Sequence, residues 1–146
     1  MATQAQRPVS ETPPPATALI QLLTASWVSH AIAAAARLGI ADCLQDGPKR
    51  SDELAPAVGA AAPMLYRLLR ALTSVGLFVE DADSRFHLTP LGTSLQSDVP
   101  GSLRAAALYF GSEELARAWS HLSHSVQTSQ PAFDQVFGTG HFEYFE

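Results

Sequence analysis

Residues 63–88 read PMLYRLLRALTSVGLFVEDADSRFHL, and they contain the clearest structural pattern in the chain. Pro63 suits the first turn of a helix, and Gly76 suits the position just after a helix ends. Between these two residues, apolar side chains recur at helical spacing. The pattern predicts a helix over 64–75 with one buried face, formed by Leu65, Leu68, Leu69 and Leu72.

A short β-hairpin is predicted directly after this helix. Two β-prone runs, 77–80 and 85–88, flank the polar turn 81–84. On the other side, a helix is predicted over 51–58, where Ser51 is the expected cap and two acidic residues follow it at the positive end of the helix. Helix, turn, helix and hairpin, in this order, are typical of a winged helix.

Further helices are predicted on both sides of the winged-helix element. They span 17–38, 40–44, 91–95, 102–110 with Ser102 as its cap, 113–127 and 131–137. The last residues, 141–146, look like the first turn of another helix. The predicted fold class is therefore mainly α, a winged-helix-like helical domain with one short β-hairpin.

The predicted helix 17–38 is apolar around nearly its whole circumference, so it must be buried on more than one side. Because a chain of 146 residues has one core, the second side is expected to be covered by another subunit. We therefore expect a homodimer. The expected interface consists of Leu19, Ile20, Leu23, Trp27, Val28 and Ile32.

Two alternatives for this helix stay open. It could be the central helix of a monomeric bundle, or it could cross a membrane. Polar residues interrupt the segment and alanine is its commonest residue, which argues against a membrane span. The expectation is that the protein has no membrane partner.

The composition narrows the class of protein further. Apolar residues make up 47% and charged residues 16% of the chain, which excludes a wholly disordered protein. The single cysteine, Cys43, excludes an intramolecular disulfide and a cysteine-based zinc site, and it fits a cytoplasmic location. Residues 1–15 are polar and proline-rich without the features of a signal peptide, so they predict a disordered tail.

Few residues have the spacing of a catalytic or cofactor site. The segment Gly138-Thr139-Gly140 lacks the preceding strand and third glycine of a nucleotide-binding loop. His121 and His124 could share a metal ion, but no third ligand lies at a suitable spacing. We expect no catalytic, cofactor-binding or metal-binding residue in this chain. His30 fits either a core or interface position or a ligand pocket.

The winged-helix order raises the question of DNA binding. The net charge of the chain is −5, and residues 49–89 hold five basic and five acidic residues. The positive surface that neutralises phosphates is therefore missing, and we expect no nucleic-acid partner. A stand-alone winged-helix regulator that binds DNA or a ligand remains the alternative function.

Several short motifs, in a fixed order, resemble a known family. They are LGIAD (38–42), DGP (46–48), ELA (53–55), LYRLLRAL (65–72), VGLF (75–78), LTPLG (88–92), AWSHL (118–122), PAF (131–133), FG (137–138) and FEY (142–144). Together they resemble the N-terminal domain of class I S-adenosylmethionine-dependent O-methyltransferases. The family includes plant caffeate and flavonoid enzymes and bacterial relatives that act on secondary metabolites.

The resemblance implies a dimerisation domain whose first helix interlocks with the partner subunit and reaches toward the partner's substrate pocket. In the family, the S-adenosylmethionine site and the catalytic histidine lie in a following Rossmann-like domain. The implied organisation is a tail over 1–15, a dimerisation domain over 16–100, and a helical substrate-capping segment over 101–146 that leads to that further domain. The chain is then a fragment that is not catalytic by itself. A truncated homologue that dimerises with the full-length enzyme is a further alternative.

The expected substrate-binding residues are Trp119, Phe133 and Phe137, with His30 contributed by the partner's first helix. Aromatic rings give a planar ligand a large contact area, and the expected substrate is a small aromatic or polyketide-like hydroxyl compound. Trp119 could equally close the local core. Thr139 stands where relatives often carry methionine.

Overall fold

The structure is a computed structural model that describes residues 13–146. Residues 1–12 of the predicted disordered tail lie outside the described residues, and the first helix already begins at Pro15. The helices are α1 (Pro15–Arg37), α2 (Ile40–Cys43), α3 (Ser51–Val58), α4 (Ala62–Ser74), α5 (Pro90–Thr93), α6 (Arg104–Phe110), α7 (Glu113–Ser120), α8 (Leu122–Thr128), α9 (Ala132–Phe137) and α10 (His141–Tyr144). The strands β1 (Phe78–Glu80) and β2 (Phe86–Leu88) lie between α4 and α5. The predicted mainly-α fold with one hairpin is confirmed.

The winged-helix element forms the centre of the core. Leu65, Leu69 and Leu72 on α4 are buried as predicted, while Leu68 lies at the edge of the same face and is half-buried. The antiparallel hairpin contributes Phe78 and Phe86, which are both fully buried. Each such side chain stabilises the fold by about 1.5–3 kcal/mol relative to an exposed one.

Two predicted helix caps are wrong. Ser51 is the first residue of α3 rather than its cap, and the N–H of the cap residue Arg50 donates to Glu53 Oε2 at 2.7 Å. Helix α6 begins at Arg104, two residues after the predicted cap Ser102. The Ser102 hydroxyl still accepts from the N–H of Arg104 at 3.2 Å, so it satisfies one of the free donors at the start of this helix.

The predicted single helix over 113–127 is also wrong, because the structure divides it into α7 and α8 at His121. The Ser120 hydroxyl donates to the carbonyl of Arg117 at 2.7 Å, and the His121 Nδ1–H donates to the same carbonyl at 3.0 Å. Such local bonds compete with the helical hydrogen bonds of the backbone.

Helix α1 is buried only in its second half, where Ala33, Ala35 and Ala36 pack against the rest of the fold. Gly111, directly after α6, permits this packing. A Cβ on Gly111 would lie 2.1 Å from the Cβ of Ala33 and 3.4 Å from the carbonyl oxygen of Ser29. The Nε–H of Arg104 also donates to the carbonyl of Ala36 at 3.0 Å, so α6 is attached to α1 near both of its ends.

Among the helices that the structure describes, only α1 has the length and apolar composition of a membrane-crossing helix.

Candidate functional site

The first half of α1 exposes a continuous row of large apolar side chains. Four of the expected interface residues, Leu19, Ile20, Leu23 and Trp27, are 57–70% exposed, and Val28 is 37% exposed. Ile32 differs, because it is half-buried and packs against the core of its own chain. Leu22 is 75% exposed and also belongs to this surface. We call the exposed residues Leu19, Ile20, Leu22, Leu23 and Trp27 the α1 face.

A shallow groove continues the α1 face onto the end of α4. The groove has a volume of about 160 Å³ and lies between Trp27 and Val28 on α1 and, on the other side, Ser74 at the end of α4 and Val75 directly after it. Trp27 lines this groove with its large ring. An apolar partner seated on α1 would therefore also contact the end of the winged-helix element.

A cleft of about 470 Å³ lies between α1 and α7, and we call it the α1–α7 cleft. It brings two of the predicted substrate-binding residues together, because His30 on α1 and Trp119 on α7 of the same chain line it. The other lining residues are Ser26, Ser29, Phe110, Leu115, Ala116 and Ser120. Trp119 is 64% exposed, so its ring is accessible to a ligand.

Phe133 and Phe137 lie elsewhere, in a C-terminal aromatic cluster formed by Tyr109, Phe133, Phe137, His141, Tyr144 and Phe145. The rings of Phe133 and Phe137 are 4.6 Å apart between centroids, and Phe133 is only 7% exposed. Tyr109 OH and His141 Nε2 share a hydrogen bond of 2.6 Å within the cluster. The structure therefore does not bring Phe133 and Phe137 into the α1–α7 cleft.

Phe110 is a site residue that the sequence reasoning missed. It lines the α1–α7 cleft and also a second, wholly apolar cleft of about 350 Å³ beside Ile32, Leu91 and Leu103. Its side chain is 64% exposed although it ends a helix that packs on α1. The signal in the sequence is an aromatic residue directly before Gly111. Glycine has no Cβ, and this permits the close approach of α1 and α6.

The basic residues of the winged-helix element are largely paired with carboxylates. Arg70 donates to Glu80 Oε2 at 3.0 Å, and Tyr66 OH donates to Glu80 Oε1 at 2.9 Å. The hydrogen bond with Tyr66 and the charge of Glu80 raise the pKa of Arg70 above its ordinary value. Arg85 is paired with Glu53 at 2.9 Å. These pairs reduce the positive charge that α4 and the hairpin can offer to a phosphate backbone.

The segment Gly138–Gly140 connects α9 to α10 and does not follow a strand. Its Thr139 hydroxyl donates to Glu143 Oε2 at 2.7 Å. Within residues 13–146, the strands form only the hairpin, so no strand, glycine loop and helix are combined into a nucleotide site. The residues that the structure describes contain no group of three or more potential metal ligands.

Comparison with known proteins identifies the family. The model of the O-methyltransferase dimerisation domain matches residues 20–98, which is more than half of the chain. A phenazine O-methyltransferase from Lysobacter antibioticus is 45% identical over 126 residues, which cover 86% of this chain and 37% of the relative.

Solved structures agree with this match. The crystal structure of LaPhzM superposes with a TM-score of 0.85 at 44% identity, covering 91% of this chain and 40% of that one. An O-methyltransferase from neocarzinostatin biosynthesis, solved with S-adenosylmethionine and 2-hydroxy-5-methyl naphthoic acid, has a TM-score of 0.64 at 34% identity. That match covers 80% of this chain and 36% of the other. The chain thus spans less than half the length of these relatives. It belongs to the O-methyltransferase dimerisation domain family, as the motifs in the sequence indicated.

Proposed function

We propose that the chain forms a homodimer through the α1 face and caps the substrate site of a small-molecule O-methyltransferase, without being catalytic by itself. In the complete enzyme, S-adenosylmethionine supplies the methyl group, and a small aromatic or polyketide-like compound supplies the hydroxyl that accepts it. The phenazine O-methyltransferase and the complex with a naphthoic acid support this substrate class. We further propose that the protein acts in the cytoplasm, with neither nucleic acid nor a membrane as partner.

The α1 face is the observation that carries this proposal. Its five large apolar side chains are each more than half exposed on a single subunit. Contiguous apolar surfaces of this kind are typical of interaction sites, and obligate interfaces are large and hydrophobic. A second copy of α1 would remove these side chains from water, and the family to which the chain belongs is named for this role.

Light scattering coupled to size-exclusion chromatography tests the dimer. The wild-type chain is expected at twice its monomer mass of 15.6 kDa, and Trp27→Asp is expected at the monomer mass or as an aggregate. Met64→Asp is the matched control, because Met64 is 60% exposed and lies in the first turn of α4, where a negative charge is favourable. A wild-type chain that stays monomeric would refute the proposal. A dimeric Trp27→Asp variant would show that the interface does not lie on the α1 face.

The alternative of a winged-helix regulator receives no support from these observations. Arg70 and Arg85 would have to leave their carboxylate partners before they could contact DNA. A gel shift with duplex DNA at physiological salt is expected to give no complex at nanomolar protein, the range in which specific DNA-binding proteins act.

A further inference from the structure

The α1 face is too small to form a stable dimer interface by itself. Burying a leucine or isoleucine side chain removes roughly 60–120 Å² of surface from water, and burying a tryptophan removes about 150–250 Å². At the exposures observed, the five side chains together offer roughly 200–550 Å² per subunit. A standard interface buries about 800 Å² per partner, and an obligate interface buries more. A stable dimer therefore needs a further apolar surface in contact.

The α1 face also extends around the helix. Successive residues of an α-helix are about 100° apart, so Ile20 and Leu22 lie on nearly opposite sides of α1, about 160° from each other. Both are well exposed. A second helix packed along one side of α1 covers a stripe that contains only one of these two residues. A cleft with walls on several sides can cover both.

A cleft of matching character lies beside the buried half of the same helix. It is the apolar cleft of about 350 Å³ described above, which has more than twice the volume of the groove at the end of α4, and we call it the α5–α6 cleft. Its floor contains Leu77 and Leu95, which are buried, and its rim contains Leu91, Leu103 and Phe110, which are each more than half exposed. Exposed apolar side chains around a concave apolar surface are typical of an interaction site.

Helix α1 connects the α1 face to this cleft. Ile32 lines the cleft and lies on α1 about one turn beyond Val28, where the helix becomes buried. The apolar surface therefore continues from the exposed half of α1 to the cleft. Neither the α1 face nor the lining of the cleft contains a charged residue, so the two surfaces can meet without burying a charge.

We infer that the α1 face of one subunit binds in the α5–α6 cleft of the second copy. The contact is made twice, because each subunit of a two-fold symmetric dimer supplies both surfaces. This arrangement adds the rim of the cleft to the interface and covers α1 on more than one side. The inference rests on the proposed function, since it identifies the surface of the second copy that the α1 face meets.

Sedimentation velocity over a dilution series of the 146-residue chain tests the inference. Leu91→Glu and Leu103→Glu each place a charge on the rim of the cleft, at the start of α5 and directly before α6, where a negative charge is favourable to the helix. Each variant is expected to raise the dimer dissociation constant by about a hundredfold or more, because the charge is buried in both copies of the contact.

Leu122→Glu is the matched control. Leu122 is about half exposed, begins α8 and does not line the cleft, so this variant is expected to dimerise as the wild type does. Circular dichroism verifies the fold of each variant, and Leu91→Gln or Leu103→Gln replaces a glutamate variant that does not fold.

Mixing two variants tests the pairing of the two surfaces directly. Leu22→Lys carries a positive charge on the α1 face, and Leu103→Glu carries a negative charge on the rim of the cleft. A mixed dimer keeps one contact unaltered and confines the two opposite charges to the other contact. It is therefore expected to form about tenfold more tightly than either variant dimerises with itself. Labelling one variant with ¹⁵N allows native mass spectrometry to distinguish the mixed dimer.

Dimerisation of both cleft variants with the affinity of Leu122→Glu would overturn the inference. A mixed dimer that is no tighter than the dimers of the separate variants would do the same. Both results leave the proposed function intact, because the wild type still dimerises. A wild-type chain that stays monomeric contradicts the proposed function and, with it, this inference.

Discussion

Replacing Gly111 by alanine is expected to destabilise the fold through one defined contact. The new Cβ would lie 2.1 Å from the Cβ of Ala33 and 3.3 Å from the carbonyl oxygen of Ala107. Carbon atoms in contact are normally about 3.5–4.0 Å apart, so α1 and α6 must separate by more than an ångström at this point. Overpacking of this kind costs about 1–3 kcal/mol.

A smaller effect, on the entropy of the unfolded chain, opposes this destabilisation. Gly111 has a φ of −100°, which alanine adopts without strain, and replacing glycine removes about 0.4–1 kcal/mol of unfolded-chain entropy. The midpoints of these two ranges leave a net loss of about 1.3 kcal/mol in the free energy of unfolding. Urea denaturation followed by circular dichroism measures it, at one fixed protein concentration because association also stabilises the fold.

Gly140→Ala is the matched control. Gly140 has a φ of −65°, and a Cβ at this position would lie 4.0 Å from its nearest neighbour, Glu143 Oε2. This variant is expected to be as stable as the wild type or slightly more stable.

A double mutant tests whether the contact with the Cβ of Ala33 causes the loss of stability. Ala33→Gly alone costs about 1 kcal/mol of helix propensity, but in the Gly111→Ala background it also removes the atom that collides. The double mutant is therefore expected to be more stable than the sum of the two single changes. A Gly111→Ala variant as stable as Gly140→Ala, or strictly additive effects in the double mutant, would refute the close-packing argument.

Three further predictions concern contacts described above. Arg104→Met removes the hydrogen bond to the Ala36 carbonyl and is expected to lower the free energy of unfolding by about 1 kcal/mol, measured in urea. The hydrogen bond from His87 and backbone N–H groups lower the pKa of Asp81, so its stabilisation is complete above the ordinary carboxyl value of 3.8 and is lost as the pH falls below it. The stability difference between wild type and Asp81→Asn should therefore shrink as urea titrations move from about pH 7 towards about pH 2. Phe133→Ala removes a buried ring from the aromatic cluster and is expected to cost about 3 kcal/mol of thermal or urea stability; a fully stable variant would instead point to a ligand-binding role.

The sequence predicted the winged-helix element well because its signals are local. The spacing of Leu65, Leu69 and Leu72 defines a helix face without reference to the rest of the chain, and all three residues are buried. The break at His121 could not be predicted in this way. It depends on side-chain bonds to the carbonyl of Arg117, and serine and histidine also occur in unbroken helices.

The candidate site depends on contacts between distant parts of the chain. His30 and Trp119 line the same cleft because α6 packs against α1 and α7 follows α6 in the chain, and neither residue carries a local sign of the other. The density of aromatic residues near the C-terminus likewise predicted a binding role for both Trp119 and Phe133, with a core position as the alternative for Trp119. The structure separates them, since Trp119 is 64% exposed and Phe133 is 7% exposed.

The uneven burial of α1 has a consequence for how the subunits assemble. Its first sixteen residues, 15–30, are mostly exposed and would extend about 24 Å at 1.5 Å per residue. Isolated helices of this length are only marginally stable in water. The helicity of this half of α1 is therefore expected to depend on protein concentration. Dilution favours single subunits in which this half is frayed, and a high concentration favours assembled subunits in which it is helical. Folding of α1 and recognition of a second subunit then become one concentration-dependent step.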